Sequence, residues 1–118
     1  MLVVEDAAAV RRIIRRLLER RGHRVLEATN GGEALAVFER HRQEIRLLVT
    51  DLMMPGVGGR ELVTRLRERA PALRVLFMSG YSDDAVRTHG ELAPDTAFME
   101  KPFTIEAFAR TVSAVLAR

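Results

Sequence analysis

The sequence contains no cysteine and no tryptophan, and it has a single tyrosine. The lack of cysteine excludes disulfide bonds, thiolate metal sites and cysteine nucleophiles. No apolar run approaches the roughly 18 residues that a membrane-spanning helix needs, and Met1 is not followed by a signal-peptide pattern. These absences favour a cytoplasmic domain that makes no membrane contact of its own.

Lysine is also scarce, because eighteen of the nineteen basic residues are arginine and the remaining one is Lys101. The two residue types are not interchangeable where a compact ammonium is needed, so Lys101 is a candidate functional residue. The net charge of +3 raises the question of nucleic-acid binding. No aromatic residue interleaves with the densest basic group, which favours a solvated helix face over a nucleic-acid interface. That group comprises Arg11, Arg12, Arg15, Arg16, Arg20, Arg21 and Arg24.

Short apolar runs alternate with longer amphipathic segments along the 118 residues, a length typical of one domain. The runs are rich in β-branched and apolar residues without strict alternation, as expected of strands buried on both faces. These predicted strands are residues 2–4, 24–28, 47–50, 74–78 and 96–99.

Helical spacing is clearest in the first and last segments. Gly22 ends a first helix whose apolar stripe comprises Val10, Ile13, Ile14, Leu17 and Leu18. Thr104 caps a last helix whose predicted apolar face comprises Ile105, Phe108, Ala109, Val112, Val115 and Leu116.

Three further helices are predicted between these two. Asn30 caps one that ends near Arg40, another runs from about Gly59 to Arg69, and Ser82 caps a fourth. Strands alternating with helices predict right-handed βαβ units and a parallel sheet. The fold class is therefore α/β, a flavodoxin-like doubly wound sheet of five strands in the order 2-1-3-4-5.

Chemically active side chains follow four of the predicted strands at their carboxyl ends, where doubly wound sheets place their sites. Glu5 and Asp6 follow the first strand, Asp51 and Ser79 end the third and fourth, and Lys101 follows the fifth. Taken singly, each residue has a purely structural explanation. Glu5 and Asp6 can cap a helix, and Asp51 can end a strand. Ser79 can belong to a turn, and Lys101 can be a surface lysine. Taken together, three carboxylates, a hydroxyl and an ammonium predict one site.

Such a site suits phosphoryl transfer. Clustered carboxylates repel one another unless a cation is present, and a ligand set of oxygens alone suits Mg²⁺. One carboxylate can then attack phosphorus and form an acyl phosphate. Lys101 would neutralise the phosphoryl oxygens, and Ser79 would donate a hydrogen bond to one of them.

Four motifs resemble those of the receiver domain of bacterial response regulators, in order and spacing and over essentially the whole chain. They are LVVED at 2–6, DLMMPGVGG at 51–59, MSGY at 78–81 and KPF at 101–103. The resemblance implies a single receiver domain over residues 1–118, without an output domain, and Mg²⁺ or Mn²⁺ as its cofactor. It assigns Asp51 as the phosphoacceptor. The implied metal ligands are Glu5, Asp6, Asp51 and the Met53 backbone carbonyl. The implied phosphate-binding or switch residues are Ser79, Lys101 and Phe98, and the residues that tune dephosphorylation are Met53 and Tyr81.

The resemblance also implies partners. The phosphoryl group would come from the phosphohistidine of a cognate histidine kinase or phosphotransfer domain. It would switch the surface of the fourth predicted helix, the fifth strand and the fifth helix, through which family members often form homodimers. Residues 77–84 and 101–104 are most similar to the receiver at the C-terminus of a hybrid sensor histidine kinase, which would tether the domain to a membrane sensor.

Several residues depart from the common family pattern. Glu5 takes the place of the more frequent Asp in the acidic pair, and Gly58 stands where Asp is frequent, which should loosen the loop after Asp51. Phe98 lacks the hydroxyl of the tyrosine found in other members. The Lys101–Pro102 bond resembles the cis peptide bond of the family.

Two alternatives belong to other functional classes. One is a protein-interaction module of the same fold that does not depend on phosphorylation, although such a domain is expected to have lost part of the acid, hydroxyl and lysine set. The other is a phosphatase with an aspartyl intermediate, which needs a proton donor two residues after Asp51, where Met53 cannot act. The sequence therefore predicts no stand-alone enzyme, only Mg²⁺-dependent self-phosphorylation and autodephosphorylation.

Overall fold

The sheet of this protein has five parallel strands. The computed structural model describes residues 1–52, 56–79, 96–101 and 103–117. The strands are β1 (Leu2–Val4), β2 (Leu26–Ala28), β3 (Leu47–Asp51), β4 (Arg74–Ser79) and β5 (Thr96–Glu100). Their order is β2-β1-β3-β4-β5, with every neighbouring pair parallel, which confirms the predicted flavodoxin-like fold. Strand β2 begins two residues later than predicted, because Arg24 and Val25 precede its pairing with β1.

Four α-helices lie in the described part of the chain. They are α1 (Ala8–Arg20), α2 (Gly31–His41), α3 (Gly59–Arg69) and the last helix (Ile105–Ala117), and a short 3₁₀ turn (Arg42–Glu44) follows α2. The bounds of α3 are those predicted from the sequence. The predicted helix that begins at Ser82 lies outside the described residues. None of the described helices has both the length and the apolar character needed to cross a membrane.

Local capping explains where several helices begin and end. The Asn30 side chain accepts a hydrogen bond of 2.8 Å from the backbone N–H of Glu33, and the Thr104 hydroxyl accepts one of 3.0 Å from that of Ala107. After α1, Gly22 adopts a φ of 87°, a left-handed conformation that favours glycine at a helix end. These three sequence predictions are confirmed.

Each face of the sheet packs against two of the described helices. Val3 and Val49 point into the core that includes residues of α1 and the last helix, whereas Leu2 and Leu48 point into the core under α2 and α3. Because side chains alternate between two buried faces, the strands read as continuous apolar runs. The sheet is thereby buried, and only its edges remain for polar chemistry.

Two residues predicted to lie on buried helix faces do not. Ile13 is 58% exposed and Ile105 is 55% exposed, so both predictions were wrong. Ile13 lies at one edge of the α1 stripe, and the helix is rotated so that Leu18, at the other edge, is buried. Ile105 is the first residue of the last helix, one turn before its buried residues begin at Phe108.

Candidate functional site

The candidate site lies at the carboxyl edge of the sheet, where the register of the strands brings distant residues together. Val4 of β1 is paired with Thr50 of β3, so Glu5 comes directly after one strand beside Asp51 at the end of the next. On the other side of Asp51, Ser79 ends β4 and is paired with Glu100, the residue before Lys101.

The three carboxylates form a compact cluster that differs in exposure from one member to the next. Glu5 is 1% exposed and Asp51 is 6% exposed, whereas Asp6 is exposed. One oxygen from each carboxylate lies within 4.8 Å of the others. Buried carboxylates are unfavourable unless they are paired with a cation or hydrogen-bonded. A positive charge close to these carboxylates is therefore needed to stabilise them in their ionised form.

Lys101 supplies part of that charge. Its Nζ atom lies 2.7 Å from Glu5 Oε2 and 2.7 Å from Asp51 Oδ1, so one ammonium bridges both buried carboxylates. Burial lowers the pKa of Lys101, but the hydrogen bonds to Asp51 and Glu5 outweigh it and raise the pKa above its usual value. The lysine is therefore held in its charged form at the centre of the site.

Glu5 is the most constrained of the acidic residues. Its Oε1 atom accepts a hydrogen bond of 3.1 Å from the backbone N–H of Ala7, and its backbone carbonyl accepts one of 2.7 Å from Arg11 Nη1. Burial, followed by the neighbouring Asp51 carboxylate, raises the pKa of Glu5, and the bonds to Lys101 and Ala7 oppose this shift. The residue at the N-cap of α1 is Ala7, so neither Glu5 nor Asp6 acts as the cap that a purely structural explanation requires.

The donor set fits a divalent cation. Three carboxylates face one ammonium, so the cluster keeps an excess of negative charge when all four groups are ionised. Oxygen ligands, few in number and partly open to solvent through Asp6, suit Mg²⁺, which keeps several of its own waters. Glu5, Asp6 and Asp51 are the described residues that would hold it.

Ser79 and Phe98 lie beside the cluster on the two strands beyond Asp51. Ser79 is buried, and its backbone carbonyl accepts a hydrogen bond of 2.7 Å from the backbone N–H of Lys101, which ties the ends of β4 and β5 together. Phe98 is partly buried against the core under α2 and α3. Of the other predicted site features, Met53, Tyr81 and the Lys101–Pro102 bond lie outside the described residues.

Sequence reasoning missed two glycines that let the backbone approach Asp51 and its loop. A methyl group on the Cα atom of Gly59 would lie 2.3 Å from the Asp51 carbonyl oxygen, and one on Gly31 would lie 2.7 Å from that of Val57. Neither glycine has a positive φ, so no turn signal marks them. Their only sequence signal is glycine in the first turn of a helix, where it lowers helix propensity.

Known proteins are similar to this chain in sequence. The sequence matches the family model of the response regulator receiver domain over residues 1–113. The chain is 37% identical over 116 residues to the sensor kinase CckA of Brucella abortus, a match that covers 98% of this chain and 12% of the kinase. It is 31% identical over 117 residues to the response regulator receiver protein CpdR of the same bacterium, with 98% of this chain and 95% of that protein covered.

A solved structure gives the same result at the level of the fold. The crystal structure of the receiver domain of the hybrid histidine kinase CckA matches with a TM-score of 0.82 at 37% identity, and the match covers 98% of this chain and 96% of that one. The chain thus spans a small part of the sensor kinase and nearly the whole of the crystallised receiver domain.

Proposed function

This chain belongs to the response regulator receiver domain family of two-component systems, and we propose that it signals by accepting a phosphoryl group on Asp51. The observation that carries the proposal is the bridge from Lys101 to both Asp51 and Glu5, 2.7 Å to each. It places the proposed acceptor carboxylate, a cation and a second buried carboxylate at one point.

In the proposed reaction, an Asp51 oxygen attacks the phosphorus of a phosphohistidine on the donor protein. A phosphorus–oxygen bond forms, the phosphorus–nitrogen bond breaks, and the imidazole nitrogen leaves and takes up a proton. Glu5, Asp6 and Asp51, with the Met53 backbone carbonyl, would hold Mg²⁺ or Mn²⁺, which neutralises phosphoryl charge when bound. Positioning and charge neutralisation supply most of what such a transfer needs from the protein.

Lys101 and Ser79 would bind the transferred group. The Lys101 ammonium would exchange its bond to Asp51 for one to a phosphoryl oxygen, and the Ser79 hydroxyl would donate to another. Movement of Ser79 and Phe98 toward the phosphoryl group would then shift the population of two conformations of the surface that includes β5 and the last helix. Hydrolysis of the acyl phosphate by water would reset the domain, at a rate tuned by Met53 and Tyr81.

Receiver domains interact with histidine kinases or phosphotransfer domains, and we propose such a protein as the phosphoryl donor here. The similarity to the CckA receiver supports a hybrid sensor kinase as the parent protein, whereas the similarity to CpdR supports a chain that acts alone. In both cases the domain acts by contact, in the cytoplasm, and not as a stand-alone enzyme.

The test is the intact mass of the protein after incubation with acetyl phosphate, with and without Mg²⁺. We expect one added phosphoryl group in the wild type, none without Mg²⁺, and none in Asp51→Asn, because the amide does not act as the nucleophile. Glu61→Gln, an exposed carboxylate on α3, is the matched control and should be phosphorylated like the wild type. A folded wild type that never gains the adduct would favour the interaction module that works without phosphate.

A further inference from the structure

We infer that Arg11 is a positioning residue that fixes the peptide group between Glu5 and Asp6 and so positions the Asp6 carboxylate for metal binding. The inference rests on the proposed function, because Glu5 and Asp6 are two of its proposed metal ligands. Arg11, the acidic pair and the residues that join them all lie in the described part of the chain.

Arg11 differs from the other arginines of α1 in its surroundings. The Arg11 side chain is only 17% exposed. The remaining arginines of the helix are all exposed, namely Arg12, Arg15, Arg16 and Arg20. Arg11 is also the closest of them to the N-terminus of the helix, where the helix dipole disfavours a positive charge. Neither solvation nor helix electrostatics explains a cation at this position, so the explanation lies in its contacts.

The Arg11 side chain reaches back past the start of α1 to the backbone of the acidic pair. Its Nη1 atom donates a hydrogen bond of 2.7 Å to the Glu5 carbonyl oxygen. That carbonyl and the N–H of Asp6 belong to the same planar peptide group. A bond that fixes the direction of the carbonyl therefore also fixes the peptide plane from which the Asp6 side chain begins.

Strand β2 holds the Glu5 backbone from both sides. The N–H of Glu5 donates a hydrogen bond of 3.1 Å to the Ala28 carbonyl. On the same strand, Glu27 Oε1 lies 3.3 Å from Arg11 Nε, so the guanidinium is anchored through one nitrogen and binds Glu5 through another. The Glu5 backbone is therefore joined to β2 directly at its N–H and through Arg11 at its carbonyl.

Asp6 depends on this restraint more than Glu5 does. The Glu5 side chain is held by Lys101 and by the backbone N–H of Ala7. Among the described residues, no hydrogen bond or ion pair holds the exposed Asp6 carboxylate, so its position follows from its backbone. Replacing a group that orients a metal ligand typically lowers metal affinity by about 10- to 100-fold. Loss of the Arg11 bond should therefore weaken metal binding through Asp6.

The charge of Arg11 would by itself have the opposite effect on the metal. A guanidinium near the acidic cluster repels a divalent cation, so neutralising Arg11 would strengthen Mg²⁺ binding if charge alone decided the outcome. Positioning predicts that the same substitution weakens Mg²⁺ binding. The sign of the change therefore separates the two effects.

Arg15 provides the matched control on the same helix. It also pairs with Glu27, at 2.6 Å, and its described contacts do not include Glu5. Arginine and methionine have similar helix propensities, so Arg11→Met and Arg15→Met should affect the helix itself to a similar extent. They differ in whether the bond to the Glu5 carbonyl is lost.

The experiment measures Mg²⁺ affinity by calorimetric titration at fixed ionic strength, with the thermal midpoint as a check of folding. We expect Arg11→Met to weaken Mg²⁺ binding by about tenfold. Arg15→Met should bind Mg²⁺ at least as tightly as the wild type. A folded Arg11→Met protein with an Mg²⁺ affinity equal to or higher than that of the wild type would overturn the inference. An equal loss in both variants would also overturn it, because the effect would then come from Glu27.

A double variant tests whether the effect passes through Asp6. In a protein that already carries Asp6→Asn, Arg11→Met should lower Mg²⁺ affinity little further, because the ligand that Arg11 positions is already lost. A stability role alone would not produce this dependence of one substitution on the other. Fully additive losses of affinity would overturn the inference.

Arg11→Lys keeps the test decisive if Arg11→Met does not fold. Lysine retains the positive charge beside Glu27, but its ammonium ends one bond short of the position of the arginine Nη1 atom. Mg²⁺ binding should therefore be weaker than in the wild type although the net charge is unchanged, and wild-type affinity would overturn the inference. Since Mg²⁺ affinity is measured without a phosphodonor, a wild type that binds Mg²⁺ but gains no phosphoryl group would defeat the proposed function and leave this comparison valid.

Discussion

The two edges of the same parallel sheet hold their charges in different ways. At the carboxyl edge, the side chains of Glu5 and Asp51 are 2% and 8% exposed, and both are paired with Lys101, which is 27% exposed. Because these side chains are largely shielded from water, solvent cannot replace a lost ion-pair partner. Removing one member therefore leaves the others buried with uncompensated charge.

At the amino edge most of the charged side chains are arginine, and the ion pair described next is exposed. A cavity of about 320 Å³ is lined by several basic residues and by Glu44, which pairs with Arg24. The side chains of that pair are 69% and 39% exposed, and Glu44 also lies 2.7 Å from the Nδ1 atom of His41. Water screens these groups, and exposed ion pairs contribute little to stability.

The difference teaches that burial, and not the number of ion pairs, distinguishes the edge with the candidate site. A compact carboxylate cluster is an unfavourable arrangement for a stable fold, and the proposed binding of a cation and a phosphoryl group would account for its presence there. The exposed ion pair of the amino edge has no such cost. The following variants test this contrast, beginning with the largest expected effect.

Replacing Lys101 by methionine removes the cation from the carboxyl edge while keeping an unbranched side chain of similar length. We expect phosphorylation by acetyl phosphate to fall by about 100-fold or more, because a donor to the developing charge is lost. Stability should also fall, by about 2 kcal/mol without metal, since Glu5 and Asp51 lose their shared partner. Urea denaturation should show that Mg²⁺ restores more stability to this variant than to the wild type.

Lys101→Arg separates charge from geometry in the same position. A guanidinium keeps the positive charge and should retain most of the stability, but its planar fork cannot reproduce the compact contact of an ammonium. Phosphorylation should therefore remain well below that of the wild type. If Lys101→Met were as stable as the wild type in the absence of Mg²⁺, the contrast between the two edges would be wrong.

Asp6 distinguishes metal binding from stability within the carboxyl edge itself. It is the exposed member of the carboxylate cluster, and no described hydrogen bond or ion pair holds its side chain. We expect Asp6→Asn to weaken Mg²⁺ binding by at least about tenfold, while the denaturation midpoint stays close to that of the wild type. A large loss of stability, with Mg²⁺ affinity unchanged, would contradict the role given to this residue.

Much of the fold could be predicted from the sequence because its signals are local. The caps at Asn30 and Thr104 and the glycine at 22 act over a few residues. The end of α3 at Arg69 is likewise a local effect, because Pro71 follows it closely. The predictions that Ile13 and Ile105 are buried were wrong. Tertiary packing decides how a helix is rotated against the sheet, and the spacing of apolar residues does not specify that packing.

The sequence predicts which residues form the site but not the contacts that they make with one another. The rule that parallel strands present their carboxyl ends at one edge places Glu5, Asp51 and Lys101 together. Their mutual distances depend on strand register between residues up to 96 positions apart, which no local pattern specifies. The contact of Gly31 with Val57 is similarly remote, and a glycine in a helix gives no indication of what it faces.

Arg24 provides the smallest expected effect and the strictest control for the contrast between the edges. Arg24→Met removes one positive charge from the amino edge, as Lys101→Met does from the carboxyl edge. Its partner Glu44 keeps the contact with His41 and access to water, so the thermal midpoint should stay within about 2 °C of the wild type. Mg²⁺ affinity and phosphorylation should not change, because the two edges are separated by the length of the strands. A loss of phosphorylation in this variant would mean that the amino edge takes part in the function, and the division of the sheet into a functional and a solvated edge would fail.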